Sequence, residues 1–191
     1  MTSATMIERL TVATDGACQP TNPGPTGWAW VDEHGAWAAG SVPHGTNQVG
    51  ELLGLLHAIA DHLHVVHLRV EADSAYAIGT YTQWMDAHAA RGWVTSTGKP
   101  TSNRAIIEQL RAARDARRTA GLPRVQLVKV KGHSGHVLNT WADNRAVRGA
   151  VHAAAGQERS WSGEGLNVRV PAPTAEEDRA LSRRRYAGAR R

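Results

Sequence analysis

The sequence predicts an α/β fold: a mixed five-stranded sheet, with the first three strands antiparallel and the later strands parallel, flanked by helices. Three short β-branched or aromatic runs come first, and two later strand patterns alternate with helical patterns. Strands joined by tight turns pair antiparallel, whereas strands joined by a helical crossover lie parallel. The predicted order is three strands, helix, strand, helices, strand and helix.

The three leading strands are bounded by turn-forming residues. Residues 9–14 read RLTVAT and precede the turn-rich stretch DGACQPTNPG, so we expect a strand that leaves the core at Asp15. Residues 27–43 contain two runs on either side of DEHG, which predicts a hairpin. These three runs supply the antiparallel part of the sheet.

The first helix follows from apolar residues spaced three and four apart between Asn47 and Leu63, with Thr46 or Asn47 as its cap. Gly50 is unusual there because glycine costs about 1 kcal/mol relative to alanine inside a helix. Either it permits close approach of the backbone to a substrate, or it has no role.

The later elements alternate between the two periodicities. Residues 66–72 predict a strand that ends at Asp73, and a second helix starts at Ser74. The last strand is expected at 123–130, with a helical pattern before it and another after it.

The composition favours a single domain, since 191 residues with 41% hydrophobic content suffice for one core. We expect residues 1–155 to form it and residues 156–191 to be a linker and basic C-terminal tail. No stretch approaches the roughly 18 apolar residues of a membrane span, and no signal peptide is evident, so we expect a cytoplasmic protein. The single cysteine, Cys18, excludes an internal disulfide and a thiolate-rich zinc site.

The net charge of +5 hints at a polyanionic partner, but it is unevenly placed. Residues 156–191 carry eight arginines against five acids, whereas residues 1–155 carry 14 basic residues against 12 acids. Because the expected domain is nearly neutral, a role in binding nucleic acid must rest on particular residues.

Four acids fall where α/β proteins form binding crevices. Asp15 and Asp73 follow strands, Glu51 lies one turn into the first helix, and Asp143 lies in the last helix. Clustered carboxylates repel one another unless a hard cation such as Mg²⁺ or Mn²⁺ lies between them, and paired metals catalyse phosphodiester hydrolysis. Taken singly, each acid could instead be a turn residue, a helix cap or a solvated side chain.

The stretch KGHSGHVLNTWAD, residues 131–143, combines His133, His136 and Asp143. Imidazole can bind metal or transfer protons, so the stretch suits a metal site, a proton relay or ordinary packing of a loop into a helix. The other acids supply hard oxygen ligands, which favours Asp143 as a ligand and His133 as a proton-handling residue. His136 is expected to fix the loop against the helix start.

Five sequence motifs occur in a characteristic order between about Leu10 and Ala150. They are TDGAC with NPGPTGWAW, TNQVGEL, EADSAY, TQWMDAHAARGW and VKGHSGHVLNTWAD. Together they resemble the type 1 ribonuclease H (ribonuclease HI) family, which implies a ribonuclease H-like fold. The fourth motif departs from the lysine-rich and aromatic protrusion of many members, because its centre reads DAHAAR.

The resemblance implies a metal-dependent endoribonuclease, and we expect the protein to be a monomer. It would cleave the RNA strand of an RNA/DNA hybrid and leave 5′-phosphate and 3′-hydroxyl ends. The carboxylates that would bind two Mg²⁺ ions, with Mn²⁺ as a possible substitute, are Asp15, Glu51, Asp73 and Asp143. His133 matches the mobile histidine thought to assist proton transfer or product release.

The resemblance also implies a set of residues that contact the substrate. Asn22, Asn47 and Gln48 match positions that contact nucleic acid, and Thr46 matches a neighbour of the phosphate-binding site. Short amides can donate to and accept from a 2′-hydroxyl, which distinguishes RNA from DNA. Trp84 and Trp93 could lie against the DNA strand or serve as packing residues.

Three alternatives remain open at this point. A nuclease of the same fold that acts on DNA would share the carboxylates, and a non-catalytic nucleic-acid-binding module would share the fold. A zinc hydrolase is the third, but His133, His136 and Asp143 have no further partner at zinc-binding spacing.

Overall fold

The computed structural model describes residues 5–132 and 136–166, which form a sheet with helices on both faces. The strands are β1 (Ile7–Cys18), β2 (Gly24–Asp32), β3 (Trp37–Gly45), β4 (Val65–Ala72), β5 (Gln126–Lys129) and β6 (Ser160–Gly163). The helices are α1 (Asn47–Ala60), α2 (Ala75–Gly79), α3 (Met85–Ala90), α4 (Arg104–Thr119) and α5 (Val137–Ala154), and a π-helical turn (Thr80–Trp84) joins α2 to α3. None of the helices in the described ranges is long and apolar enough to cross a membrane.

The sheet has the strand order β5-β4-β1-β2-β3-β6. Strands β1, β2 and β3 pair antiparallel, while β4 is parallel to β1 and β5 is parallel to β4. The predicted mixed sheet is therefore confirmed, with one correction. The described chain contains six strands rather than five, because Ser160–Gly163 pairs antiparallel with β3 inside the segment that was expected to be a linker. The four residues of β6 show no strand periodicity in sequence, so they form a strand only because the edge of β3 is available for pairing.

The predicted end of the first strand is wrong, because β1 continues through Cys18. Its antiparallel pairing with β2 extends to Cys18 opposite Thr26, so the turn-forming residues Asp15 and Gly16 are held within the ladder. The parallel pairing with β4 stops earlier, at Thr14 opposite Ala72. Asp15 is thus the first residue beyond the parallel part of the sheet, and it still lies at the crevice.

Two apolar cores lie on opposite faces of the sheet. Alternate residues of the strands, among them Val12, Trp30 and Val70, pack with α1 and α4 on one face. Ala29 and Val31 point to the other face, which α5 covers. The helix α5 is therefore separated from α1 by the sheet, and the two helices approach the end of β1 from opposite sides.

Close backbone packing brings α1 onto the sheet. A Cβ atom on Gly50 would lie 2.6 Å from the carbonyl oxygen of Gly27 and 3.0 Å from the Cα of Gly16. A Cβ atom on Gly16 would collide with the backbone nitrogen of Glu51. Gly50 therefore permits an approach to the sheet, and this approach places Glu51 directly beside the end of β1.

The residues that follow α5 are part of the packed domain. Arg145 of α5 is fully buried, and its guanidinium group lies 4.8 Å from the ring centre of Trp37. The same group donates to the carbonyl oxygens of Gly165 at 3.1 Å and Leu166 at 3.2 Å. Trp161 of β6 contacts His152 of α5, with ring centres 4.7 Å apart. Residues 156–166 are thereby fixed against α5 and β3.

Candidate active site

Three of the four predicted acids converge at the carboxyl end of the parallel strands. Asp15 of β1, Glu51 of α1 and Asp73, which follows β4, each place one carboxylate oxygen within 4.8 Å of the other two. This proximity follows from the topology, since β1 and β4 are parallel neighbours and Gly16 and Gly50 let α1 approach the same point. The cluster can hold a metal ion.

Burial and mutual repulsion make two of these carboxyl groups hard to ionise without a cation. The pKa of Asp15 is raised from 3.8 to about 8, chiefly because the group is buried and secondly because of the charge of Asp73. Burial, followed by the charges of Asp15 and Asp73, raises the pKa of Glu51 from 4.5 to about 9. Within the described residues, the Oε2 atom of Glu51 is buried without a hydrogen-bond partner. A hard divalent cation fits this set, because it offsets the charges and occupies the free oxygen.

Asp15 is oriented by two hydrogen bonds. The backbone nitrogen of Gly16 donates to its Oδ1 at 2.7 Å, and the side-chain nitrogen of Asn139 donates to its Oδ2 at 3.1 Å. Asn139 is buried in the first turn of α5 and was not anticipated from the sequence. Its spacing of four residues before Asp143 places both on one face of the helix, and this is the signal that could have revealed it.

Asp143 contributes to the site from α5 without belonging to the tight group of three. It is half-buried, and its charge raises the pKa of both Asp15 and Glu51. The four acids therefore share one electrostatic environment, although α1 and α5 lie on opposite faces of the sheet.

The chain returns to the same carboxylates at Gly132, the residue before His133. His133 lies outside the described residues, but Gly132 before it is packed against Asp73 so closely that a Cβ atom would collide with the Oδ2 atom. His136 caps α5, because its Nδ1 atom accepts a hydrogen bond from the backbone nitrogen of Asn139 at 3.4 Å. This cap gives His136 a structural role at the helix start, while the loop residues 133–135 lie outside the described part of the chain.

The predicted substrate-contacting residues at the start of α1 are accessible. The Thr46 hydroxyl caps α1 by accepting from the backbone nitrogen of Val49 at 3.2 Å, and Asn47 and Gln48 are exposed in the first turn. Asn22 is exposed in the loop between β1 and β2. Pairing of Gly24 with Gly45 brings that loop beside the start of α1, one helical turn from Glu51.

The two tryptophans differ in their surroundings. Trp84 ends the π-helical turn, and 40% of its surface is exposed. Trp93 is half-buried against the core beneath α1 and α4, and the guanidinium group of Arg104 lies 5.3 Å from its ring centre. Trp84 therefore offers more surface to a ligand than Trp93 does.

Comparisons of the sequence with known proteins point to one family. The family model for RNase H matches residues 7–151, which is most of the chain. A ribonuclease H of Aromatoleum aromaticum is 39% identical over 149 residues, covering 75% of this chain and 92% of that protein. A ribonuclease HI of Streptomyces coelicolor is 36% identical over 153 residues, which cover 76% of this chain and 63% of that protein.

A search of solved structures places the fold in the same group. The crystal structure of LC9-RNase H1, a type 1 RNase H with the type 2 active-site motif, superposes with a TM-score of 0.65. The superposition covers 99% of this chain and 88% of that one, at 20% sequence identity. By its sequence match over residues 7–151 and its similarity to these relatives, the chain belongs to the ribonuclease H family.

Proposed function

We propose that this protein is an endoribonuclease that cleaves the RNA strand of RNA/DNA hybrids by metal-dependent phosphodiester hydrolysis, leaving 5′-phosphate and 3′-hydroxyl ends. The observation that carries the proposal is the convergence of Asp15, Glu51 and Asp73 within 4.8 Å, in a chain that belongs to the ribonuclease H family. The single cysteine, Cys18, suits the reducing cytoplasm that we expect as its compartment.

The metal site that we propose consists of Asp15, Glu51, Asp73 and Asp143, which would hold two Mg²⁺ ions. When bound, such a pair activates a water molecule and stabilises the leaving oxygen. The buried, unbonded Oε2 atom of Glu51 supports a cation at this point, since a bare carboxylate oxygen is otherwise costly to bury. Carboxylate oxygens are hard, negatively charged ligands, and they favour Mg²⁺ or Mn²⁺ over softer metals.

The surrounding residues orient the reacting groups. Gly16 and Asn139 each donate to one oxygen of Asp15, which restricts rotation of the carboxylate beside the other acids. Gly132 leaves room beside Asp73 for the chain that carries His133. We assign proton transfer, or help in releasing the product, to His133, since imidazole exchanges protons near neutral pH.

Recognition of the RNA strand is assigned to the polar residues around the start of α1. The exposed amides of Asn22, Asn47 and Gln48 can exchange hydrogen bonds with 2′-hydroxyls. Thr46 lies beside them, at a helix start that favours phosphate. Trp84 and Trp93 are proposed to contact the sugars and bases of the DNA strand, and Trp84 is the more exposed of the two.

The test compares cleavage of labelled RNA/DNA hybrid, duplex DNA and duplex RNA, each with Mg²⁺ and with a chelator. Hybrid alone should be cleaved, only with Mg²⁺, and Asp15→Asn should lower the rate at least about 100-fold because a metal ligand loses its charge. Asp115→Asn is the matched control on α4, far along the chain from the cluster, and should keep the wild-type rate. Equal cleavage of duplex DNA would indicate a DNA nuclease, and binding without cleavage would indicate a non-catalytic module.

A further inference from the structure

The loop that carries His133 is attached to β4 at both of its ends. Before the loop, the backbone nitrogen of Val130 donates to the carbonyl oxygen of Ala72 at 3.0 Å. After the loop, the Nε2 atom of His136 lies 3.0 Å from the Oε2 atom of Glu71. The two attachment points, Ala72 and Glu71, lie within two positions of Asp73, so the end of β4 contacts both ends of the loop and leads directly into one of the clustered acids.

Both ring nitrogens of His136 have partners. Its Nδ1 atom accepts from the backbone nitrogen of Asn139, so a neutral ring carries its hydrogen on Nε2 and donates it to Glu71. One tautomer therefore serves as helix cap and as link to the sheet. A side chain that only capped the helix would need no partner on β4.

Glu71 is well placed to hold this ring. It is buried near the end of β4, two positions before Asp73, which follows the strand. Its Oε1 atom accepts from the Nε atom of Arg69 at 3.1 Å. With one oxygen on Arg69 and the other on His136, the carboxylate has little freedom to turn.

The link continues to the metal cluster. The residue capped by His136 is Asn139, whose side chain donates to Asp15 at 3.1 Å. A continuous path of hydrogen bonds thus joins Glu71 on β4 to Asp15 on β1 through the first turn of α5. Movement of this turn would displace Asn139, and Asp143 one turn later on the same helix.

We infer that Glu71 is a positioning residue, which acts through His136 to hold the end of the His133 loop and the first turn of α5 against the two strands that bear Asp15 and Asp73. The inference rests on the proposed hybrid-cleaving activity. It gives Glu71 no contact with substrate or metal. The alternative is that the bond between Glu71 and His136 only satisfies two polar groups and contributes to stability alone.

The kinetic test uses three variants and a control. Glu71→Ala removes the link. Glu71→Gln keeps one acceptor oxygen, which can face His136 when the amide NH2 group turns toward Arg69, whose side chain is 40% exposed and can move away. His136→Asn keeps a helix-capping oxygen but is too short to reach Glu71. Glu108→Ala is the matched glutamate control, exposed on α4 and paired with Arg104. Turnover and KM are measured on RNA/DNA hybrid, with thermal unfolding to confirm that each variant is folded.

Glu71→Ala and His136→Asn should each lower kcat about tenfold and change KM less than about threefold. Losses of this size are typical of residues that orient metal ligands without touching the metal. Glu71→Gln should stay within about threefold of the wild-type kcat. The double variant Glu71→Ala with His136→Asn should be no slower than the slower single variant, because both remove one link. A wild-type kcat for Glu71→Ala, an equal loss in Glu71→Gln, or multiplied losses in the double variant would overturn the inference.

A second measurement needs neither metal nor activity. Nitrogen-15 NMR of the metal-free protein should give the Nε2–H tautomer for His136, and Glu71→Gln should retain it. An Nδ1–H tautomer in the wild type would overturn the inference. If Glu71→Ala does not fold, the kcat of His136→Asn and the tautomer seen in this spectrum still test the inference. If the wild-type protein does not cleave hybrid at all, the proposed function fails, while the spectrum tests the link by itself.

Discussion

Asp15 and Glu51 oppose folding whenever their charges are not offset by a cation. Both have pKa values raised by burial and by neighbouring acids, to about 8 and about 9. An acid whose folded pKa exceeds its unfolded pKa binds more protons in the folded state at intermediate pH. The free energy of unfolding of the metal-free protein therefore falls as the pH rises from about 4 through the folded pKa values.

The residue-scale prediction concerns Asp15→Asn, which removes one of these charges. In chelator, the variant should unfold at a higher temperature than the wild type at pH 8, by roughly 3 °C or about 1 kcal/mol, and this gain should shrink at pH 5. Differential scanning calorimetry at both pH values measures the difference. Added Mg²⁺ should reduce the difference in unfolding temperature between the variant and the wild type. A gain in unfolding temperature that does not change with pH would contradict the electrostatic explanation.

Among individual residues, the clustered acids could be predicted from the sequence, whereas Asn139 and Glu71, the residues that orient them, could not. Asp15, Glu51 and Asp73 could be proposed because each stands at a strand end or one turn into a helix, where the fold class places a crevice. Asn139 and Glu71 belong to the same network through contacts between distant segments, and 124 positions separate Asn139 from Asp15. The helical spacing between Asn139 and Asp143 indicates a shared face but not the partner on β1, and an acid within a strand, such as Glu71, has no local signature for its contact.

The elements themselves are largely what the residue patterns predict, but partner strands set their bounds. Turn-forming residues near Asp15 suggested a strand end, yet pairing with β2 carries β1 on to Cys18. In the same way β6 exists because β3 offers an edge, and its sequence alone predicts a linker. Local propensity gives the type of an element, whereas its length depends on pairing that a single segment does not encode.

The element-scale prediction concerns Gly50. In an ordinary helix Gly→Ala stabilises by about 1 kcal/mol, but here the added Cβ would lie 2.6 Å from the Gly27 carbonyl oxygen and 3.0 Å from the Gly16 Cα. Because these atoms belong to backbone, α1 must move away from the sheet. Gly50→Ala should therefore lower the free energy of unfolding by about 2 kcal/mol and reduce hybrid cleavage, since Glu51 moves with the helix.

Denaturant unfolding and the cleavage rate check this prediction. Ala112→Gly, at an exposed position inside α4, supplies the matched reference and should cost about 1 kcal/mol from helix propensity alone. A Gly50→Ala variant that is more stable than the wild type would mean that the packing of α1 on the sheet is looser than described.

For the whole molecule, the chain after α5 belongs to the folded domain up to Leu166. The buried guanidinium group of Arg145 depends on that segment, since it donates to Gly165 and Leu166 while it lies over Trp37. A buried cation that loses its acceptors is strongly destabilising. The boundary expected at residue 155 therefore cuts through a packed region, and the basic residues beyond 166 lie outside the described part.

The whole-molecule prediction compares two shortened chains. A chain that ends at Ala155 should unfold about 4 to 8 °C below a chain that ends at Leu166, because Arg145 loses two acceptors and β3 loses β6. The loss corresponds to about 2 kcal/mol. Circular dichroism during heating measures both transitions, and equal transition temperatures would refute a structural role for residues 156–166.

The added strand also affects how copies of the protein behave toward one another. An uncovered β3, nine residues long, would present a row of unpaired backbone groups along its outer edge, a template on which another chain can extend the sheet. β6 covers Trp37–Gly40, and the backbone nitrogen of Ser41 donates to the carbonyl oxygen of Arg159 beyond it. The opposite edge, β5, is only four residues long. We therefore expect this short segment, which lies outside the family match, to hinder edge-to-edge association between copies of the domain.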